Sequence, residues 1–307
     1  MNIAKKGWLD VSKGHSIYFE LCGNPSGVPI IFIHGGPGFG FSDKDKVFFD
    51  SNKHQVLFFD QRGTGRSRPF ACIDENTIQD LSEDLVKLMD FVGWKKAVLF
   101  GGSWGSTLAL YFAINLPSRV SQLVLRGIFL AREEDNSFYL GEEKELVAPK
   151  AWRRMVELVP QDMRSGWKPL NEFYFEKICC GDKVISNKYA YERAFYTMSL
   201  MCLNQSDNAV REILKSIPFF SLAKLESFYM KNNWFLKENF ILNNAEKIKF
   251  LEAFIIHGKS DLLCKPSGAV DLHNVLPNSK LYLTNAGHSD KETETLNCLK
   301  EIFSKIN

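Results

Sequence analysis

The sequence predicts an α/β fold built on a mostly parallel central sheet, with a helical insertion between the two halves of that sheet. Three observations carry this expectation. Short, unbroken apolar runs at 28–36, 54–63, 96–103 and 121–129 each end in glycine or a polar turn. Stretches with helical spacing stand between the later runs. The alternation stops at about 130, resumes near 249, and leaves a block of mixed charges and aromatics in between.

Taken in order, "GWLDVSKGHSIYFELCG" (7–23) reads as a hairpin around Lys13-Gly14. "VPIIFIHGG", "HQVLFFDQRG", "KAVLFGGS" and "SQLVLRGIF" are rich in Val, Ile, Leu and Phe without polar alternation. That is the pattern of strands buried on both faces. "TIQDLSEDLVKLMDFVG" (77–93) repeats apolar residues at 78, 81, 85, 88 and 92 and ends at Gly93, a helix with a glycine stop. "STLALYFAINLP" (106–117) is a more buried helix closed by Pro117. "KFLEAFIIHGKSD" (249–261), "SGAVDLHNVLP" (267–277) and "SKLYLTNAGH" (279–288) then read as strand, helix and strand. The expected division is a core of 1–129 and 236–307 with a helical cap at 130–235. No internal repeat or low-complexity tract interrupts it.

Bulk properties exclude several classes. The chain has 307 residues, 45% hydrophobic and 24% charged, which is ordinary globular composition. A net charge of +2 with scattered lysines leaves no footprint for nucleic acid. No run of about 18 apolar residues suggests a membrane span. The N-terminal "MNIAKKGWLDVSKGHS" has no apolar stretch suited to a signal peptide. Seven cysteines, an odd number with no C-x-x-C pair, suggest free thiols and a cytoplasmic protein. No H-E-x-x-H or Cys/His cluster suggests a metal, and no cofactor is expected. "HGGPGFG" (34–40) fails G-x-G-x-x-G because position 41 is Phe. "HGKS" (257–260) fails as a phosphate loop because position 253 is Ala.

The chemistry centres on "FGGSWGSTLAL" (100–110). Gly101-Gly102-Ser103-Trp104-Gly105 fits G-x-S-x-G and sits after a predicted strand and before a predicted helix. That context holds a serine hydroxyl out at the carboxyl end of a sheet, where the helix N-terminus offers N–H groups to an oxyanion. The bland alternative is a glycine-rich connection with an idle serine. A nucleophile needs a base. Of six histidines, His288 in "NAGHSD" falls in a polar loop after the last strand, at the same sheet edge as Ser103. His34 before the glycine loop suits a structural role, and His15, His54, His257 and His273 lie in predicted strands, hairpin or helix. The order Ser, then Asp, then His is satisfied by Asp261, with Asp271 and Asp290 as rivals. A backbone N–H of Gly35 or Gly36 could pair with that of Trp104 as an oxyanion hole.

"FIHGGPGFG", "FFDQRGTGRS", "NTIQDLSEDLVKLMDFVGW", "FGGSWGSTLALYFAINLPSRV", "LVLRGIFL", "HGKSDLLCKP" and "AGHSD" together, in this order, resemble the proline iminopeptidases of the α/β-hydrolase superfamily. The similarity covers most of 28–130 and 250–290 and reaches the insertion through "GIFLAREEDNSFY" and "LAKLESFYMKNNWF". It implies an α/β-hydrolase fold and a serine aminopeptidase that releases N-terminal proline from short peptides. It implies Ser103 as nucleophile, His288 as base, Asp261 as its partner, and Gly36 with Trp104 as the oxyanion hole. It implies a proline pocket at Phe129 and Tyr139, with Cys264 beside the catalytic Asp, and Glu226 as a reader of the substrate amine. The family's second acidic reader sits in a W-x-x-W-E pattern. "KYAYERAFYTM" (188–198) lacks it: Phe195 stands at that place, and Glu192 is a possible substitute. That departure keeps a second reading open, a carboxylesterase or amidase of the same fold acting on small uncharged substrates. A noncatalytic binding protein would require a broken triad. An Asp-nucleophile dehalogenase or epoxide hydrolase conflicts with Ser103.

Overall fold

The described residues form eight strands: β1 (Ile3–Asp10), β2 (Ser16–Gly23), β3 (Val28–Ile33), β4 (His54–Phe59), β5 (Ala97–Gly102), β6 (Val120–Arg126), β7 (Ala253–Gly258) and β8 (Ser279–Thr284). The computed structural model describes residues 1–203 and 205–306. The strands make one sheet in the order β1-β2-β4-β3-β5-β6-β7-β8. β1 pairs antiparallel with β2 and β2 antiparallel with β4, and every other pair is parallel. Every residue of β4, β5 and β7 is buried, so their sequences carry no polar alternation. The β1–β2 turn places Lys13 and Gly14 at positive φ, as the hairpin reading requires.

Helices flank the sheet. α1 (Ile78–Phe91) starts from a reciprocal cap in which Thr77 and Asp80 bond each other's backbone N–H. It ends at Gly93, whose φ is +76°. α2 (Trp104–Asn115) begins at Trp104, two residues before the expected start, because the turn at Ser103 feeds straight into the helix. Its sides are apolar nearly all round and almost all of it is buried.

Seven helices follow β6: α3 (Glu133–Leu140), α4 (Lys144–Val147), α5 (Pro149–Val156), α6 (Trp167–Ile178), α7 (Lys183–Ser199), α8 (Asp207–Ser216) and α9 (Phe219–Lys231). α7 is their hub and packs against α5, α6, α8 and α9. α10 (Phe240–Asn244) packs on α2 and leads the chain back to the sheet, which α11 (Ser267–Val275) and α12 (Thr293–Lys305) complete. One apolar core runs from the sheet through α1 and α2 into the inserted helices, joining Leu99 and Trp104 to Leu140, Phe195 and Tyr229. A second, rich in Phe32, Phe58, Phe100 and Phe303, fills the other face of the sheet. The insertion touches the loop after β3 through Ser221, whose Oγ donates to Gly38 O at 2.9 Å. No helix among the described residues is long and apolar enough to cross a membrane.

Candidate active site

Ser103 occupies the turn between β5 and α2 with φ 57° and ψ −126°. A non-glycine residue held there stores about 1–3 kcal/mol of strain. The flanking glycines are steric necessities. A Cβ on Gly101 would sit 2.2 Å from Gly105 O, and one on Gly105 would sit 2.1 Å from Ile33 O. Ser103 N donates to Arg126 O at 2.9 Å, and Ser106 Oγ donates to Ser103 O at 2.6 Å. These bonds fix the turn and leave the Ser103 hydroxyl on the wall of a cavity of about 430 Å³.

His288 lines the same cavity and is 3% exposed. Its Nδ1–H donates to Asp261 Oδ2 at 2.7 Å. Its backbone is held from both sides, with His288 N donating to Met201 O and Arg126 Nη1 donating to His288 O. Asp261 follows β7, and its Oδ1 accepts from the N–H groups of Leu263 and Cys264 at 2.8 and 2.9 Å. Burial works to raise this carboxyl, but the imidazoles of His288 and His257 outweigh it and hold it well below the usual carboxylate range. Burial pushes the His288 imidazole down against the pull of Asp261, and the nearby Arg126 adds to the lowering. A neutral imidazole oriented by an ionised carboxylate is the state a general base needs. The rivals fall away: Asp271 pairs with Arg132 at 2.9 Å and Asp290 with Lys291 at 3.6 Å.

His257 is a member of this site that the sequence reading missed. Its Nδ1 accepts from Ile128 N at 3.0 Å, so its proton belongs on Nε2. That Nε2–H lies 3.2 Å from Asp261 Oδ2 and 3.1 Å from Cys264 O. Asp261 thus takes four N–H donors, two of them imidazoles. A histidine ending an interior strand carries no sequence signal for this role.

The loop after β3 meets the nucleophile turn. Gly35 lies against Ser103, where an added Cβ would stand 3.2 Å from the serine Cβ. Gly36 lines the cavity at φ +116°. Trp104 opens α2, so its N–H is one of the first-turn donors that a helix leaves unpaired. His34 and Gln61 tie the parts together. Gln61 N–H donates to His34 Nε2, Gln61 Nε2 donates to His34 O, and Trp104 Nε1–H donates to Gln61 Oε1 at 2.9 Å. The rest of "DQRGTGRS" is scaffold: Arg62 forms a buried two-pronged pair with Asp84 at 2.6 and 2.7 Å.

The cavity also brings together Phe129, Tyr139, Glu226 and Cys264. The Phe129 ring meets the edge of Trp234 at 4.6 Å between centroids. Trp234, also missed from sequence, is held at φ 57° between Asn233 and Phe235, which are also at positive φ. Its Nε1–H donates to Asn136 Oδ1 at 2.8 Å. Cys264 Sγ is 3.9 Å from Ser103 Oγ, and burial, with Asp261 adding to it, pushes its thiol well up, so it packs as a neutral group. Glu226 accepts from Tyr139 OH at 3.1 Å and from Thr197 Oγ1 at 3.2 Å. Glu192 does not substitute for the missing second carboxylate. It is bound by Arg154 at 2.6 and 2.8 Å and lies outside the cavity lining. Phe195 is buried beneath the Arg154 guanidinium and is outside the lining too.

Known proteins resemble this chain in sequence and in fold. Residues 28–295 match the family model described as alpha/beta hydrolase fold. A proline iminopeptidase of Xylella fastidiosa is 36% identical over 95% of this chain and 93% of its own length. A putative proline iminopeptidase of Mycoplasma pneumoniae is 36% identical over 99% of both chains. An esterase of Exiguobacterium antarcticum shares the fold at TM-score 0.67 and 17% identity, covering 97% of this chain and 98% of that one. On this whole-length likeness, the chain belongs to the proline iminopeptidase family of alpha/beta hydrolases.

Proposed function

We propose that this chain is a serine aminopeptidase that releases N-terminal proline from short peptides through an acyl-enzyme. The observation that carries the reading is the buried 2.7 Å His288–Asp261 bond in the wall of the cavity that Ser103 faces. His288 Nε2 takes the Ser103 proton as Oγ forms a bond to the prolyl carbonyl carbon. The carbonyl oxygen becomes an oxyanion and receives the N–H groups of Gly36 and Trp104, a contribution of about 3–4 kcal/mol per donor. Collapse breaks the C–N bond, and His288 returns its proton to the departing amine. Water, deprotonated by His288, then attacks the prolyl ester, and free proline leaves as Ser103 regains its proton. Asp261 stays ionised throughout and holds the imidazole in the Nδ1–H tautomer.

Phe129, Tyr139 and Trp234 supply an apolar wall for the pyrrolidine ring, and Glu226 receives the ring nitrogen. The reading places the pyrrolidine ring at the buried end, beside Tyr139, Thr197 and Glu226, so release of a single amino acid is expected. Free thiols at all seven cysteines support a cytoplasmic location.

Hydrolysis of prolyl-β-naphthylamide, compared with alanyl-β-naphthylamide and p-nitrophenyl acetate, tests the reading. A strong prolyl preference that falls roughly 10,000-fold or more in Ser103→Ala is the expected result. Ester turnover without prolyl turnover would replace it with the esterase reading.

A further inference from the structure

Behind the buried end of the cavity stands a cation that no sequence motif announced. Arg193, on α7, is 1% exposed. Its Nη2 lies 3.6 Å from Glu226 Oε2. Its other neighbours are the sulfurs of Met155 and Met230 at 4.0 and 3.8 Å and the Tyr139 ring at 5.0 Å. Its Nε has no partner among the described residues. Glu226 is therefore the one carboxylate paired with Arg193 among those residues. A guanidinium keeps its proton inside proteins. With Glu226 ionised, the pair sums to zero; with Glu226 protonated, the pair is positive. In neither state is this end of the cavity anionic.

The other ionisable groups packed there do not change the sum. Tyr139 from α3, Tyr174 from α6 and Tyr196 from α7 are all pushed up by burial and stay neutral phenols. Burial also pushes the Glu226 carboxyl up, against the pull of Arg193 and the Tyr139 and Thr197 hydroxyls. The remaining carboxylates of the lining, Asp45 and Asp290, are partly buried and are both paired with Lys291, at 3.0 and 3.6 Å.

We propose that Arg193 is a specificity-determining residue that cancels the charge of Glu226, so that this subsite takes the N-terminal proline nitrogen as the neutral amine rather than as the ammonium ion. The proposal rests on the reading that prolyl substrates are turned over here. Every bond that the protein gives the Glu226 carboxyl goes to Oε2, leaving Oε1 for the single N–H of a neutral pyrrolidine. An ammonium ion would instead leave an uncompensated positive charge in a buried, weakly screening site.

The test compares prolyl anilide with cyclopentanecarboxylic anilide, which has the same ring and no titrating nitrogen. Deprotonation of His288 affects both and cancels in the ratio of their kcat/KM values. An α-amino group titrates near about 8, so the ratio should rise about tenfold between pH 6 and pH 7 and level off above the amine's own pKa. A 4-fluoroprolyl anilide, whose amine is less basic, should level off correspondingly lower. Arg193→Gln, checked for a native-like melt, should lose the rise and gain turnover of prolyl anilide at low pH. A wild-type ratio that is flat at low pH and falls above the amine pKa would overturn the proposal, because the cation would then be the form bound. A rise whose midpoint ignores the fluorine would overturn it as well, placing the titration on the protein. Cleavage of the cyclopentyl anilide with no prolyl turnover at any pH would overturn the peptidase reading itself, and the proposal with it.

Discussion

Gly127 follows β6 at φ +56°, against the His288 imidazole. A Cβ placed on it would stand 3.0 Å from His288 Cε1 and 3.3 Å from Nδ1. Ordinary carbon–carbon contact is about 3.5–4.0 Å, so in Gly127→Ala the ring has to retreat by about 0.5 Å or more. It has little freedom to do so. His288 O is bound by Arg126, His288 N is bound to Met201 O, and Nδ1 is bound to Asp261 at 2.7 Å. Alanine in the left-handed region costs a further 1–2 kcal/mol or so. A displacement of about 1 Å in a reacting group is worth on the order of 100-fold in rate, so about half of that should cost roughly 10-fold or more. The variant should show kcat and kcat/KM for prolyl anilide lowered together by about 10- to 100-fold, because only the transition state uses the base. Its melting temperature should fall by a few degrees. A kcat within twofold of wild type in a folded Gly127→Ala protein would refute the inference that this contact sets the position of His288.

Two further outcomes follow from the same site. His257→Phe keeps the ring but leaves Ile128 N–H and Asp261 Oδ2 short of a partner, and should destabilise by about 2–4 kcal/mol. With one fewer donor on Asp261, the His288 imidazolium is better stabilised and the acid limb of kcat/KM should move to higher pH. His257→Gln, which retains a donor, should restore much of both, and coincident melts and pH profiles for all three proteins would remove His257 from the site. In thermal melts against pH, burial lowers the imidazoles of His34, His54 and His288, so each contributes stability that is present above about pH 6.5 and lost as pH falls through its folded value. The slope approaches about 1.4 kcal/mol per pH unit for each histidine, and Asp261, held well below about 3.9, adds a second loss on further acidification. Stability that is flat between pH 7 and pH 5 would contradict these neutral buried histidines.

Much of this molecule was open to a reader of the sequence because its signals are local. β4, β5 and β7 are buried along their whole length because both faces of the sheet are covered, so their apolar runs show no alternation. Gly101 and Gly105 flank Ser103 because no Cβ fits at either place, so the turn writes itself into five consecutive residues. Chain order and positions just past strand ends point to Asp261 and His288, and the structure pairs their side chains. The short apolar β8 is half-exposed at the sheet edge, yet its strand pattern still read correctly. The helix α12 has no counterpart in the sequence reading, although Leu296, Leu299, Ile302 and Phe303 recur there at helical spacing.

What escaped is whatever depends on how one helix is rotated against another. Glu192 and Arg193 are neighbours in sequence and about 100° apart around α7. Residue type argues that both face water, because an arginine is almost never fully buried without a partner. The structure separates them: Glu192 turns outward to Arg154, and Arg193 turns inward to Glu226 on α9. Nothing within "KVISNKYAYERAFYTMS" fixes that phase, because its apolar residues do not gather into a single stripe. The phase is set from outside, by α5, α6, α8 and α9 packing around it. A family's substrate chemistry can therefore change through such a helix while every catalytic motif stays intact. Phe195 at the expected carboxylate position was the one visible sign. It raises the expectation of a missing charge but says nothing of the pairing of Glu226.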